Sequence, residues 1–116
     1  MRLTVEVKTV DRVVQALGID RIDLFKLDVE GFELEVLQGA RETLRTVDRL
    51  IIEYHSVDLG RRVAEHLASH GLCIALDEKI FEEGMWPGPG FGFGLLFAKR
   101  QTGSVSTRPA SAMPRA

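Results

Sequence analysis

The sequence predicts an α/β fold with a mostly parallel sheet and a C-terminal antiparallel hairpin. Three observations carry that reading. Apolar runs of strand length alternate with stretches of helical period, an order that right-handed crossovers turn into a parallel sheet. The run LIIEY (Leu50 to Tyr54) is apolar at adjacent positions, which suits a strand covered by helices on both faces. The last two strand-like runs have no helical stretch between them, so they pair antiparallel at an edge.

Each element has its own signal. Leu3, Val5 and Val7 alternate with polar residues, the pattern of a half-buried strand. Thr9 suits a helix N-cap, with Val10, Val13, Val14 and Leu17 at i, i+3, i+4 and i+7. Asp11 falls in that helix's first turn and Gly18 just past its end. The run IDLFKLDV is a second strand, and Leu34, Leu37, Ala40 and Leu44 mark one face of a second helix. LIIEY is the third strand. Asp58 is placed to cap a third helix, with Leu59, Val63 and Leu67 inward and Gly71 after it. LCIAL (Leu72 to Leu76) and GLLFAK (Gly94 to Lys99) are the last two strands. The predicted order is β-α-β-α-β-α-β-β.

The 116 residues suffice for one domain with a modest core. A hydrophobic content of 45% and a charged content of 28% argue for a folded chain. From Gln101 the sequence QTGSVSTRPASAMPRA loses apolar periodicity, so residues 101–116 read as a disordered tail behind a structured unit at 1–100. A net charge of -2 gives no basic surface for nucleic acid. The single cysteine, Cys73, excludes an internal disulfide. With no apolar run near eighteen residues and no signal-peptide pattern, the expectation is a soluble cytoplasmic protein without membrane partners.

Four residues draw attention as a candidate site. In an open α/β sheet, ligands bind beyond the carboxyl ends of the strands. Asp28 and Glu30 stand at that end of one strand, and Glu53 and His55 at that end of the next. Spacing two puts each pair on one face of an extended backbone. If the strands are neighbours, three carboxylates and an imidazole converge. A second reading stands beside this one. Acids just before a helix favour its positive end by roughly 0.3–1 kcal/mol each, and Glu53 and His55 also fit as plain strand-end polar residues.

The segment from Thr9 to Ser56 resembles the FkbM family of S-adenosylmethionine-dependent methyltransferases. The matching features are TVD before the first helix, the KLDVEGFE strand-to-helix turn, VLQGA in the helix, and LIIEYH in the following strand. The resemblance implies a partial Rossmann-like methyltransferase fold and methyl transfer to an oxygen, here of a small-molecule or sugar hydroxyl. It also implies that the glycine-rich strand turn for the cofactor, and the first strands with it, precede the residues present here. The cofactor-binding residues are thus unknown, Asp28 being the one candidate.

Methyl transfer needs the acceptor oxygen aligned with the methyl group, and a base or a metal to activate a neutral hydroxyl. The expected roles are Asp28 toward cofactor and acceptor and His55 as general base. Glu30 and Glu53 orient the acceptor or hold a divalent cation, although no spacing is diagnostic of a metal. The competing reading is a non-catalytic remnant or binding subunit, self-associating or completed by a partner chain, because an unpaired parallel strand leaves open backbone groups.

Other motifs carry less. WPGPGFGFG (Trp86 to Gly94) is interrupted by Pro87 and Pro89 and precedes a strand, unlike a glycine turn that opens a helix around a phosphate. Its Trp86, Phe91 and Phe93 are expected to pack on the core rather than to line an acceptor pocket. His66 and His70 lack the glutamate that a zinc-protease helix carries after its first histidine, and read as solvated. Cys73 reads as a small core residue. Arg41, Arg45 and Arg49 read as a solvated helix face.

Overall fold

Thr9 opens the first helix as expected. Its backbone is extended and its hydroxyl accepts a hydrogen bond from the Arg12 N–H, capping α1 (Val10–Ala16). Gly18, at φ +66°, makes the left-handed turn that ends it. In the computed structural model, which describes residues 1–81 and 91–101, there follow β1 (Ile22–Leu27), α2 (Glu33–Gln38), a short 3-10 turn (Thr43–Arg45), β2 (Val47–Ser56), α3 (Val57–Ala68), β3 (Leu72–Phe81) and β4 (Phe91–Arg100). The tail beyond Gln101 lies outside the described residues.

The strands form one four-stranded sheet in the order β1-β2-β4-β3. Among the described residues only β1 and β2 pair in parallel; β4 is antiparallel to both β2 and β3. The sheet is therefore mixed, not mostly parallel. The cause lies in the last connection. α3 carries the chain from β2 to a strand of the same direction, β3, and β4 then folds back between the two. The expected C-terminal hairpin exists, but its second strand is interior and only β3 lies at the edge.

The strand expected at Leu3 to Val7 does not form. Residues 1–9 have no regular structure, and all three apolar side chains are exposed. Alternation supplies a strand with a face, but a strand also needs a neighbour to take its backbone hydrogen bonds.

The core is a single cluster on one side of the sheet. Leu27, Leu50, Ile52, Tyr54, Leu96 and Ala98 from the strands meet Leu34 and Leu37 of α2 and Val63 and Leu67 of α3. Ala40 and Leu44 join them as predicted, although α2 has already ended and the 3-10 turn carries Leu44. LIIEY is buried on one face only. Leu50, Ile52 and Tyr54 are buried, whereas Ile51, Glu53 and His55 on the opposite face are partly exposed. That alternation corrects the expectation of helices on both faces, and it leaves the site residues open to ligands.

Local chemistry fixes the connections. Asp11 does more than occupy a first turn. Its carboxylate accepts hydrogen bonds from the Glu42 and Thr43 N–H groups and from the Thr43 hydroxyl, fastening α1 to the 3-10 turn. Partial burial raises the Asp11 pKa, but these hydrogen bonds outweigh it, so the carboxyl titrates below its ordinary value. Ser56, not Asp58, caps α3 through the Leu59 N–H; Asp58 pairs with Arg61 instead. Tyr54 packs on Gly60, where any Cβ would lie 2.8 Å from its ring. Its hydroxyl donates to Asp77 at 2.9 Å. Burial, then Asp77, raises the phenol's pKa.

Candidate active site

The site grows from the register of the parallel pair. Leu27 faces Ile52 across β1 and β2, so the next residues, Asp28 and Glu53, stand side by side at the carboxyl ends. Glu53 lies on the partly exposed face of β2, and His55, two residues on, shares that face.

Glu30 arrives differently from the sequence expectation. β1 ends at Leu27, so Asp28 and Glu30 do not share an extended strand. Glu30 has φ +52° and Gly31 φ +101°, and the chain turns sharply before α2. A left-handed conformation at a residue with a Cβ costs of order 1–3 kcal/mol, and such strain tends to gather at functional sites. Here it swings the Glu30 carboxylate back toward His55. The imidazole Nε2 lies 3.6 Å from Asp28 Oδ1 and 3.6 Å from Glu30 Oε2. Both separations exceed a hydrogen bond and leave room for a bridging atom.

Sequence reasoning missed Glu33. It is the first residue of α2, it is 0% exposed, and its Oε1 sits 2.7 Å from His55 Nδ1. A carboxylate accepts only, so the Nδ1–H of the ring donates to it. The other oxygen, Oε2, is buried with no hydrogen-bond partner. A signal for Glu33 was available. It precedes Leu37 by four and adjoins Leu34, so it falls on the inward face of its helix, where an acid needs a partner.

His55 is held on three sides. Its side chain is 18% exposed. Glu33 takes one nitrogen, the acids face the other, and the Phe93 ring meets it edge-on with centroids 5.5 Å apart. Phe93 thus lies against the site, whereas Trp86 and the Phe91 side chain lie outside the described residues. Glu53 titrates above its ordinary value. A hydrogen bond with Asp28 is the main cause, followed by burial and the Asp28 charge, with His55 opposing. Beside the Asp28 charge, Glu53 keeps its proton more readily than an isolated carboxyl does.

All four predicted residues therefore come together, and Glu33 joins them. Asp28, Glu53 and His55 each offer a donor atom, and these atoms lie within 4.8 Å of one another. Chemically the arrangement can accept a proton at Nε2, hold a hydroxyl between carboxylates, or bind a cation. The remaining motifs fall elsewhere. His66 and His70 stack with centroids 4.6 Å apart and are both half-buried, not solvated. Burial, then His70, lowers the His66 pKa. Cys73 is half-buried on β3. Arg41, Arg45 and Arg49 are exposed.

The model of the methyltransferase FkbM domain matches residues 2–76. The chain is similar to the AMB antimetabolite synthetase AmbE of Pseudomonas aeruginosa, 31% identical over 84 residues, which cover 66% of this chain and 4% of that protein. It is also similar to the hexuronic acid methyltransferase AglP of Haloferax volcanii, 35% identical over 54 residues, 47% of this chain and 23% of the relative. The chain spans a small part of either relative. No solved structure matches it.

Proposed function

The chain belongs to the FkbM methyltransferase family, and we propose on that premise that it serves S-adenosylmethionine-dependent methylation of a hydroxyl oxygen on a small molecule or sugar. The observation that carries this reading is the prepared histidine. His55 is fixed through Nδ1 by a buried carboxylate and turns Nε2 toward acids at the open end of the parallel strands. A sugar acid is the first acceptor to try, because one similar protein is named for methylating a hexuronic acid.

The donor set fits the cofactor. Asp28 and Glu30, exposed beyond the end of β1, complement a sulfonium cation and accept hydrogen bonds from ribose or acceptor hydroxyls. When bound, S-adenosylmethionine supplies an electrophilic methyl group. The residues here do the rest. Asp28 orients the acceptor hydroxyl in line with the methyl carbon. His55 Nε2 takes the hydroxyl proton as the oxygen attacks. Glu33 holds the ring in the tautomer that leaves Nε2 free and stabilises the imidazolium that results. On this reading the four strands are the acceptor end of a Rossmann-like methyltransferase sheet.

A second reading is a binding subunit without a cofactor site of its own. The exposed apolar side chains Val13, Leu17, Ile19 and Leu24 favour it, since they offer a surface to a partner. Incubation with methyl-labelled S-adenosylmethionine and a panel of uronic acids separates the two. The first reading expects label in the acceptor, falling about a hundredfold or more in His55→Gln and also in Asp28→Asn. Transfer that survives both substitutions unchanged would sink it. A folded chain that transfers nothing supports the second.

A further inference from the structure

We infer that Asp28, Glu53 and His55 form a binding site for one divalent transition-metal cation of the Mn2+ or Zn2+ type, with Glu30 in reach as a fourth ligand and Glu33 as the residue that positions His55. The donors come from two adjacent strands and the turn after the first, and they already converge. Two ligands about 2.1 Å from one ion lie about 3.0 Å apart at right angles and about 3.4 Å apart at the tetrahedral angle. His55 Nε2 is 3.6 Å from both Asp28 Oδ1 and Glu30 Oε2. Small side-chain rotations close that gap without moving a strand.

Hydrogen bonding within the site points to a cation independently. An ionised Glu33 carboxylate 2.7 Å from Nδ1 can only accept, which puts the neutral ring's proton on Nδ1 and a lone pair at Nε2. That lone pair faces the Asp28 and Glu30 oxygens at 3.6 Å, acceptors that cannot satisfy it, and a cation entering there displaces the proton of the Asp28–Glu53 hydrogen bond. A positive centre among them satisfies all at once. Glu33 itself adds a second, separate argument. It is wholly buried, and one of its oxygens has no hydrogen-bond partner. A buried carboxylate oxygen without a partner is costly unless positive charge lies close by. The chain carboxylate–imidazole–cation is the arrangement in which such a group is usual, fixing the ligand ring and raising its basicity.

The ligand types set the class of ion. Mg2+ and Ca2+ favour all-oxygen sets, and one imidazole beside carboxylates shifts preference toward Mn2+, Fe2+ or Zn2+. Binding of the ion stands by itself. With the ion bound, Nε2 is a ligand and no longer a base, so the ion would take over activation of the acceptor by lowering the pKa of a hydroxyl bound beside it; that use rests on the methyltransferase reading.

The test is titration of the full chain with MnCl2 alone, followed by calorimetry and by loss of the free-ion EPR signal. One ion per chain is expected, with Ca2+ at equal concentration failing to displace it. Asp28→Asn and Glu53→Gln each weaken binding at least tenfold. Glu33→Gln weakens it by about 10–100-fold while Asp28, Glu53 and His55 stay in place. His70→Gln leaves binding unchanged, which separates this site from the His66–His70 pair. Circular dichroism verifies folding; should Glu33→Gln unfold the chain, the Asp28 and Glu53 variants decide. No saturable uptake of Mn2+ or Zn2+ at millimolar concentration overturns the inference. So does uptake that ignores the Asp28 and Glu53 substitutions or disappears in His70→Gln. Ion binding without methyl transfer would keep the site and sink only its proposed use.

Discussion

Ile52 in β2 and the trio Leu3, Val5 and Val7 come from stretches that both read as strands, yet Ile52 is 0% exposed and the trio is 78%, 76% and 90% exposed. The two regions differ in what surrounds them, not in local preference. β2 has β1 on one side and β4 on the other, with α3 against it. Among the described residues, the first nine have no strand beside them. α1 is only loosely joined, since none of its residues is fully buried and its ties to the rest include the Asp11 clamp, a backbone bond from the Asp11 N–H to the Gly39 carbonyl and the partly buried Val10 against the core. An apolar pattern is thus an offer that a neighbour must accept, and the site stands on the part of the chain where it was accepted.

The sharpest way to break this contrast is to cut the core. Leu37→Ala should cost about 2–5 kcal/mol in urea unfolding, because Leu37 is fully buried among α2, α3 and the sheet. A loss under 0.5 kcal/mol would mean that the core is not where the stability lies. Next comes the clamp between the regions. Asp11→Ala should cost about 1 kcal/mol, as the loss of a cap does. Its pH dependence has a defined sign. The folded Asp11 pKa lies below the unfolded value of about 3.9, so its stabilisation is complete above that value and is lost as pH falls through the folded pKa. Acid unfolding should therefore be less steep in the variant, as read by circular dichroism between neutral and strongly acidic pH. The smallest effect belongs to the N-terminal segment. Leu3→Ser with Val5→Ser should change stability by less than about 0.5 kcal/mol. A larger loss would show that this segment packs on something in solution.

Much of the architecture was legible. Helix starts and stops obeyed side-chain chemistry that is local to them, so Thr9, Gly18 and Gly71 were readable. The pairing partner of β4 was not, because antiparallel insertion between β2 and β3 depends on contacts between residues distant in the chain. Asp58 looked like a cap, but Ser56, at the strand's last residue, reached the Leu59 N–H first. In the site, Asp28, Glu30, Glu53 and His55 were legible from the rule that ligands gather at strand ends. Their geometry was not, since Glu30 reaches His55 through a left-handed turn instead of along a strand. Glu33 hid because an acid in the first turn of a helix already has an ordinary reason to be there.

His55 is the residue on which both the base and the ligand roles turn, and both need its proton on Nδ1. The other two histidines, His66 on α3 and His70 just beyond it, stay unchanged in His55→Gln, so the 15N resonances of His55 can be assigned by difference. At a pH where the ring is neutral, and without added metal, the account predicts the proton on Nδ1, facing Glu33, with Nε2 bare toward Asp28 and Glu30. A proton on Nε2 would contradict it, for then the acids would hold the ring and Nε2 could serve neither as base nor as ligand.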